Sequence, residues 1–317
     1  MLDTFGRAIT YLRISVTDLC NQRCRYCMPE EGVCKRLRED MLTEDEMIRA
    51  ITIAAQLGVT KLRITGGEPL IKPNILNICR RAANIPRIHE LCLTTNGIRL
   101  GELAKPLRQA GVHRVNISLD TLNEEKYTYI TRRHYYHEAM AGIEAALSAG
   151  FDKVKINCVL IGGFNDDEIP DFIRITKQYP IDVRFIELMP MYDSGDFGDE
   201  TYLPVSEVIK RSRELVPLAS DGGVARRFKL PQALGEVGLI SPLSAHFCGT
   251  CNRLRLTADG KLKPCLHSSL EIPIKGLDNT EMRTAFIQAI TRKPAQHPPL
   301  SNEHRSEAGR NMNQIGG

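Results

Sequence analysis

The stretch Lys61-Leu62-Arg63-Ile64-Thr65-Gly66-Gly67-Glu68-Pro69 decides the fold class. A short run rich in apolar and β-branched residues passes straight into a glycine-rich polar turn, the pattern of a strand followed by a loop. Alone, Gly-Gly-Glu-Pro is an ordinary turn. It gains weight because the arrangement recurs at residues 11–16, 90–95, 114–119, 153–160 and 183–188. Helical patterns separate these runs. Thr43-x-x-Glu46 is a capping box that opens a helix with Met47, Ile51, Ala54 and Ala55 inward and Gly58 just past its end. Gly111 and Gly150 close two further helices, and Asp166 or Asp167 opens one with Ile169, Phe172, Ile173 and Thr176 on one face. Repeated β-loop-α predicts an α/β fold with a parallel sheet covered by helices, in which doubly wound sheets and barrels both fit. In either, function gathers at the C-terminal ends of the strands. There the chain places Thr17, Thr65 to Pro69, Thr94-Thr95-Asn96-Gly97, Ser118-Leu119-Asp120 and Glu187-Leu188-Met189-Pro190.

The chain has 317 residues, 42% hydrophobic and 25% charged, which excludes a disordered or collagen-like protein. Its net charge of +4 suits an anionic ligand but is too weak to point to nucleic acid. Arg7 and Arg13 interrupt the apolar residues near the start, and no stretch is long and apolar enough to span a bilayer. The expected compartment is therefore the cytoplasm, where thiols stay reduced and serve as core residues, metal ligands or nucleophiles.

Six of the ten cysteines fall into two groups, Cys20-x3-Cys24-x2-Cys27 and Cys248-x2-Cys251-x13-Cys265. Each offers three thiols. Three thiolates on a [4Fe–4S] cubane leave one iron open to a substrate or cofactor. A zinc site with a fourth ligand from elsewhere fits the spacing too, and His246 or His267 is placed to complete the second group. Cys79, Cys92 and Cys158 lie in apolar patterns and read as buried core thiols. Cys34 lies in a charged loop and receives no role. After about residue 217 the regular pattern gives way to turns at Asp221-Gly222-Gly223 and Asp259-Gly260 between short alternating segments. This predicts a smaller, mostly antiparallel region over 221–317 following a core over 1–220. The polar 291–317 stretch, with Pro294, Pro298 and Pro299, reads locally as a tail.

Cys20-Asn21-Gln22-Arg23-Cys24-Arg25-Tyr26-Cys27-Met28-Pro29 together with Gly66-Gly67-Glu68-Pro69 resembles the radical S-adenosylmethionine superfamily. Phe5-Gly6-Arg7, Tyr11-Leu12-Arg13-Ile14-Ser15, the run from Cys248 to Thr257 and the final Gly-Gly extend the resemblance over nearly the whole chain. They point to the family that cyclises GTP in the first step of molybdenum cofactor biosynthesis. The resemblance implies an incomplete (β/α)6 barrel of the TIM type, with a C-terminal region that carries a second cluster. It implies one [4Fe–4S] cluster on Cys20, Cys24 and Cys27, which binds S-adenosylmethionine, and another on Cys248, Cys251 and Cys265, whose open iron holds the guanine. It assigns S-adenosylmethionine contacts to Tyr26, Gly67, Ser118 and Met189. It assigns GTP contacts to Arg13, Arg63, Thr94, Lys155, Arg253, Leu254 (through its backbone) and Arg255. Arg13, Arg63 and Lys155 have independent support, because a cation inside a strand is costly unless it meets a ligand or partner. Arg184 is a further candidate, with a salt bridge as its plainer reading. Gly316 and Gly317 would thread into the site and assist catalysis. The implied partners are GTP, an electron donor and the downstream cyclic pyranopterin monophosphate synthase, with neither nucleic acid nor membrane, and a homodimer is an open alternative. Leu19 departs from the pattern, and the aromatic and basic stretch 130–137 has no reading. The competing readings are a radical enzyme with an auxiliary cluster that matures peptides, and a zinc-binding scaffold or nucleic-acid protein.

Overall fold

Alternation shapes the parallel strands. In Leu12-Arg13-Ile14, Leu62-Arg63-Ile64 and Val154-Lys155-Ile156, the aliphatic residues join one hydrophobic core and the cations point the other way. A computed structural model, which describes residues 1–34, 36–191, 201–301 and 303–316, shows what the two faces meet.

Strands β1 (Tyr11–Ser15), β2 (Lys61–Thr65), β3 (Glu90–Thr95), β4 (Arg114–Ser118), β5 (Lys153–Leu160) and β6 (Ile181–Glu187) pair in sequence order, all parallel. Helices α1 (Glu44–Gln56), α2 (Ile75–Ala83), α3 (Leu100–Gln109), α4 (Glu124–Thr131), α5 (Tyr136–Ser148) and α6 (Ile169–Gln178) fill the connections. Thr43 and Glu46 form the expected capping box at the start of α1. Gly58, Gly111 and Gly150 have positive φ just past α1, α3 and α5. The helices cover the aliphatic face, and the other face lines the lumen of an incomplete barrel. An ordinary barrel of this type fills its interior with branched aliphatic side chains. This one is lined by arginine, lysine and small polar residues.

The C-terminal segment adds α7 (Ser206–Arg211), β7 (Val216–Pro217), β8 (Arg226–Lys229), β9 (Val237–Ile240), β10 (Arg253–Leu256), β11 (Lys261–Lys263), β12 (Ile272–Pro273), α8 (Asn279–Thr291) and α9 (Met312–Ile315). Its pairing is mostly antiparallel, as expected, in β7–β8–β9 and β10–β11–β12. Two of its strands do more. β9 extends the parallel sheet beyond β6, and β10 extends it beyond β1. Consecutive strands thus occupy opposite edges of the barrel sheet. Their linker, residues 241–252, must run from the C-terminal end of β9 across the open side to the N-terminal end of β10.

The stretch beyond residue 291 is not a loose tail. Ile315, Ala308, Ser306 and Asn313 are buried, and Ile315 and Ala308 form a small cluster with Met191.

Candidate functional site

The first cysteine loop leaves the C-terminal end of β1. Its backbone turns back on itself, with Cys27 N and Met28 N donating to the Cys24 carbonyl. Two neighbours hold it. Gly66 and Gly67 of the β2 loop pack so closely that a Cβ on Gly67 would overlap the Leu19 carbonyl. The close approach that demands glycine here is the cysteine loop itself. The second neighbour is the end of α4. Arg23 N donates to Thr131 O at 2.9 Å, Arg25 N to Ile130 O at 2.9 Å, and Arg132 Nη1 to Arg23 O at 2.9 Å. Arg132 takes a left-handed conformation (φ 54°) to do so. The start of the 130–137 stretch, unassigned in sequence, therefore clamps this loop.

Glu68 is fully buried and knits the β2 and β3 loops, accepting from Thr95 Oγ1 (2.7 Å), Asn96 N (2.7 Å) and Leu70 N (2.9 Å). Burial raises its carboxyl to about 7. This separates the two adjacent threonines. Thr95 serves Glu68, whereas Thr94 receives Arg63 Nη1 at 3.0 Å on the lumen side. Tyr26 donates to Asp120 Oδ2 at 2.7 Å, and burial raises the Asp120 carboxyl to about 6. Ser118 ends β4, and Met189 packs beside Met191 and Ile315.

Burial, with the charges of Cys27 and Cys20 beside it, pushes the Cys24 thiol well up. Bound cations would relieve that cost. A single tetrahedral ion would draw three sulfurs to about 3.8 Å of one another. Among the described residues, the one set of three His, Cys, Asp or Glu ligand atoms within 4.8 Å is His246, Cys248 and His297. Neither cysteine triad gathers that tightly. Ligands spread over separate irons of a cubane fit three half-buried thiols on one loop better than a single zinc does.

Below the first loop, matched register sets Arg255, Arg13 and Arg63 side by side across β10, β1 and β2. Arg253 lies opposite Tyr11 in the next row. Burial and its arginine neighbours hold the Arg13 guanidinium well below its ordinary value, and burial with Arg253 brings Arg255 to about 10. Arg63 donates to the Tyr11 hydroxyl. Lys155, on the far wall, pairs with Asp182 at 2.6 Å, and burial with Arg184 lowers it to about 8. Arg184 makes no hydrogen bond or ion pair with a described residue, so the salt bridge of its plainer reading is not found among them. Adjacent like charges are unfavourable until an anion joins them. Leu254 differs from its neighbours. Its side chain lies in the core, which leaves only its backbone to serve a ligand. Cys92 is buried, as expected, and lies in register with Arg63.

The second cysteine group is at the opposite end of the lumen. Cys248 and Cys251 precede β10, whose first residue is level with the first residue of β1, and Cys265 follows β11. The site thus occupies both ends of the barrel and not only the C-terminal one, because the lumen between them is open to polar groups. Arg7 secures the Cys248 turn. It pairs with Asp3 (2.6 Å) and donates to the carbonyls of Cys248 (2.8 Å), Ala295 (2.9 Å) and Pro294 (2.7 Å). Glu187 holds the linker by accepting from Leu243 N and Ser244 N, both at 3.0 Å. Lys293 Nζ donates to Arg253 O and Pro264 O at 3.0 and 2.7 Å and draws the Cys251 thiol down against the effect of burial. Of the two histidines considered in sequence, His246 lies beside Cys248, while His267 turns to Ser306 Oγ at 3.1 Å.

Gly316 reaches the same lumen. Its carbonyl accepts from Arg255 Nη1 at 2.6 Å, and its φ of 79° and the nearby Thr65 hydroxyl leave no room for a Cβ. Gly317 lies outside the described residues.

Residues 14–175 match the radical SAM superfamily, and residues 181–299 match molybdenum cofactor synthesis C. A GTP 3′,8-cyclase of Alkaliphilus oremlandii is 47% identical over 323 residues, covering all of both chains. The chain belongs to the GTP 3′,8-cyclase family. A GTP 3′,8-cyclase of Moorella thermoacetica is 48% identical over 327 residues, again with full coverage of both. Among solved structures, native anSMEcpe with bound AdoMet aligns with a TM-score of 0.63 over 92% of this chain and 82% of that one, at 14% identity. That likeness shows a radical SAM fold. Membership brings S-adenosylmethionine and [4Fe–4S] clusters as the cofactors. No helix among the described residues is long and apolar enough to cross a membrane.

Proposed function

We propose that this chain converts GTP to (8S)-3′,8-cyclo-7,8-dihydroguanosine 5′-triphosphate, the first step of molybdenum cofactor biosynthesis. One observation carries the reading. A wall of matched arginines lies between two thiol triads, at opposite ends of one lumen. Cys20, Cys24 and Cys27 would hold the first cluster, and Cys248, Cys251 and Cys265 the second. The group held by Cys20, Cys24 and Cys27 would supply one electron for reductive cleavage of S-adenosylmethionine into methionine and a 5′-deoxyadenosyl radical, which would take the hydrogen at C3′ of the GTP ribose.

The protein's part is placement. Tyr26, Gly67, Ser118 and Met189 ring the end of the lumen beside the first loop and would hold S-adenosylmethionine. Arg13, Arg63, Thr94, Lys155, Arg253 and Arg255, with the Leu254 backbone, would take the triphosphate through charge-assisted hydrogen bonds. Arg184 adds a further cation. The base would then face the second triad and the ribose the first, so that C3′ is presented to the radical and C8 to C3′. Gly316 and Gly317 would close the site. Residues 1–220 form the radical-generating core and 221–317 the region that binds the base. The setting is cytoplasmic, with an electron donor and a downstream cyclic pyranopterin monophosphate synthase as functional partners. Incubation of anaerobically purified, iron-loaded chain with GTP, S-adenosylmethionine and reductant tests the reading. Equimolar 5′-deoxyadenosine and a product isomeric with GTP are expected, and deoxyadenosine with unchanged GTP rejects it.

A further inference from the structure

The segment that carries Gly316 into the lumen is held at one point by an unusually dense set of charges. Arg310 donates to Glu271 through Nε (2.6 Å) and Nη2 (2.7 Å), and to Asp259 through Nη1 (3.1 Å) and Nη2 (2.9 Å). Its side chain is only 11% exposed. Asp259 sits in the turn between β10 and β11, and Glu271 immediately precedes β12. Arg310 therefore fixes the segment to the same small sheet that supplies Arg253 and Arg255. Six residues beyond it, the Gly316 carbonyl meets Arg255. Between the two points, Asn311 N at the start of α9 donates to Gln314 Oε1 at 3.1 Å, and Asn313 Nδ2 donates to Asp18 O at 2.8 Å beside the first cysteine loop. The path is short and fixed at both ends, so a shift at Arg310 moves Gly316 relative to the lumen wall.

The two carboxylates do not depend on Arg310 alone. Asp259 also pairs with Arg36 at 3.1 Å, and Glu271 with Lys263 at 3.1 Å. Loss of Arg310 leaves neither carboxylate as an isolated buried charge, the situation that makes a broken ion pair destabilise a whole fold. The interaction is thus dispensable for the barrel and specific to the segment it holds.

We propose that Arg310 is a positioning residue, a latch on Asp259 and Glu271 that sets the reach of the 311–316 segment and holds Gly316 against Arg255 during turnover. The turnover part rests on the cyclase reading, whereas the structural part does not. The test compares full-length, iron-loaded wild type with Arg310→Ala and Arg310→Lys. Iron content should be unchanged in all three. Hydrogen exchange of the 311–316 amides should quicken at least about tenfold in Arg310→Ala, with exchange in β1–β6 unaltered. Product formed per 5′-deoxyadenosine should fall about tenfold while GTP affinity changes less than threefold. Arg310→Lys, which keeps the charge but not the double fork, should lie between the two. Exchange in 311–316 as slow in Arg310→Ala as in wild type overturns the latch. Fast exchange with undiminished coupling overturns its role in turnover. A wild type that leaves GTP unchanged overturns the cyclase reading instead, and the exchange comparison still decides the latch.

Discussion

Thr94 and Thr95 show how one position along a strand separates a residue that supports the loops from one that faces the lumen. Thr95 is committed to buried Glu68, so Thr95→Val leaves that carboxylate short of a donor and should cost about 1–3 kcal/mol of stability. Thr94 faces Arg63 in the lumen. Thr94→Val should leave the melting temperature nearly unchanged and weaken GTP binding severalfold. Calorimetric melting and GTP titration of both variants check the pair, and equal effects on both readouts would reject the division. Lys155 makes a pH prediction. Burial, with Arg184, lowers its value from 10.5 to about 8, so its charge is present below that pH and lost above it. A triphosphate favours the charged form, and GTP affinity should therefore fall as pH rises past 8, by up to about tenfold per unit. Stability runs the other way. Between about 8 and 10.5 the unfolded chain holds this proton better than the folded one, so this site's contribution to stability rises across that window. Tyr11, lowered to about 8 by Arg63 and Arg13 against its burial, ionises over the same range and also removes positive field. Lys155→Arg should flatten the affinity profile without abolishing its slope.

At the scale of elements, the two cysteine loops depend on distant segments. The end of α4 clamps the first, and Arg7 fastens the second. Arg7→Ala would leave Asp3 unpaired and three carbonyls without their donor, a loss of about 3–5 kcal/mol concentrated at one turn. Purified Arg7→Ala should retain about four irons per chain where wild type holds about eight. Its cleavage of S-adenosylmethionine should persist. A full complement of iron in this variant would show that the Cys248 turn holds without Arg7. Sequence carried part of this organisation. Phe5-Gly6-Arg7 stood out by resemblance, yet nothing local ties Arg7 to a turn some 240 residues away. The α4 clamp was less legible still, because apart from the Arg132 side chain it acts through the backbone carbonyls of Ile130 and Thr131, which carry no mark in sequence.

At the scale of the molecule, the proposed reaction assigns a separate job to each end of the lumen. Cys24→Ala should abolish 5′-deoxyadenosine formation, and Cys251→Ala should keep some of it while GTP cyclisation is nearly lost. Each variant should hold about four irons. Product analysis beside an iron assay distinguishes them, and normal GTP turnover by Cys251→Ala would remove the second triad from the reaction.

The sequence by itself determined the order of strands and helices, the two thiol triads and the cations buried in strands. These features depend on local periodicity, capping and side-chain chemistry, all of which act over a few residues. Only the tertiary structure decided that β9 and β10 take opposite edges of the barrel sheet, that the two triads lie at opposite ends of the lumen, and that Thr94 rather than Thr95 looks inward. It also decided that the polar stretch after residue 291 returns to Arg255. Each of these follows from pairing between segments far apart in the chain. Such pairing is set by which edge remains open and which backbone groups still need partners once the other strands have formed.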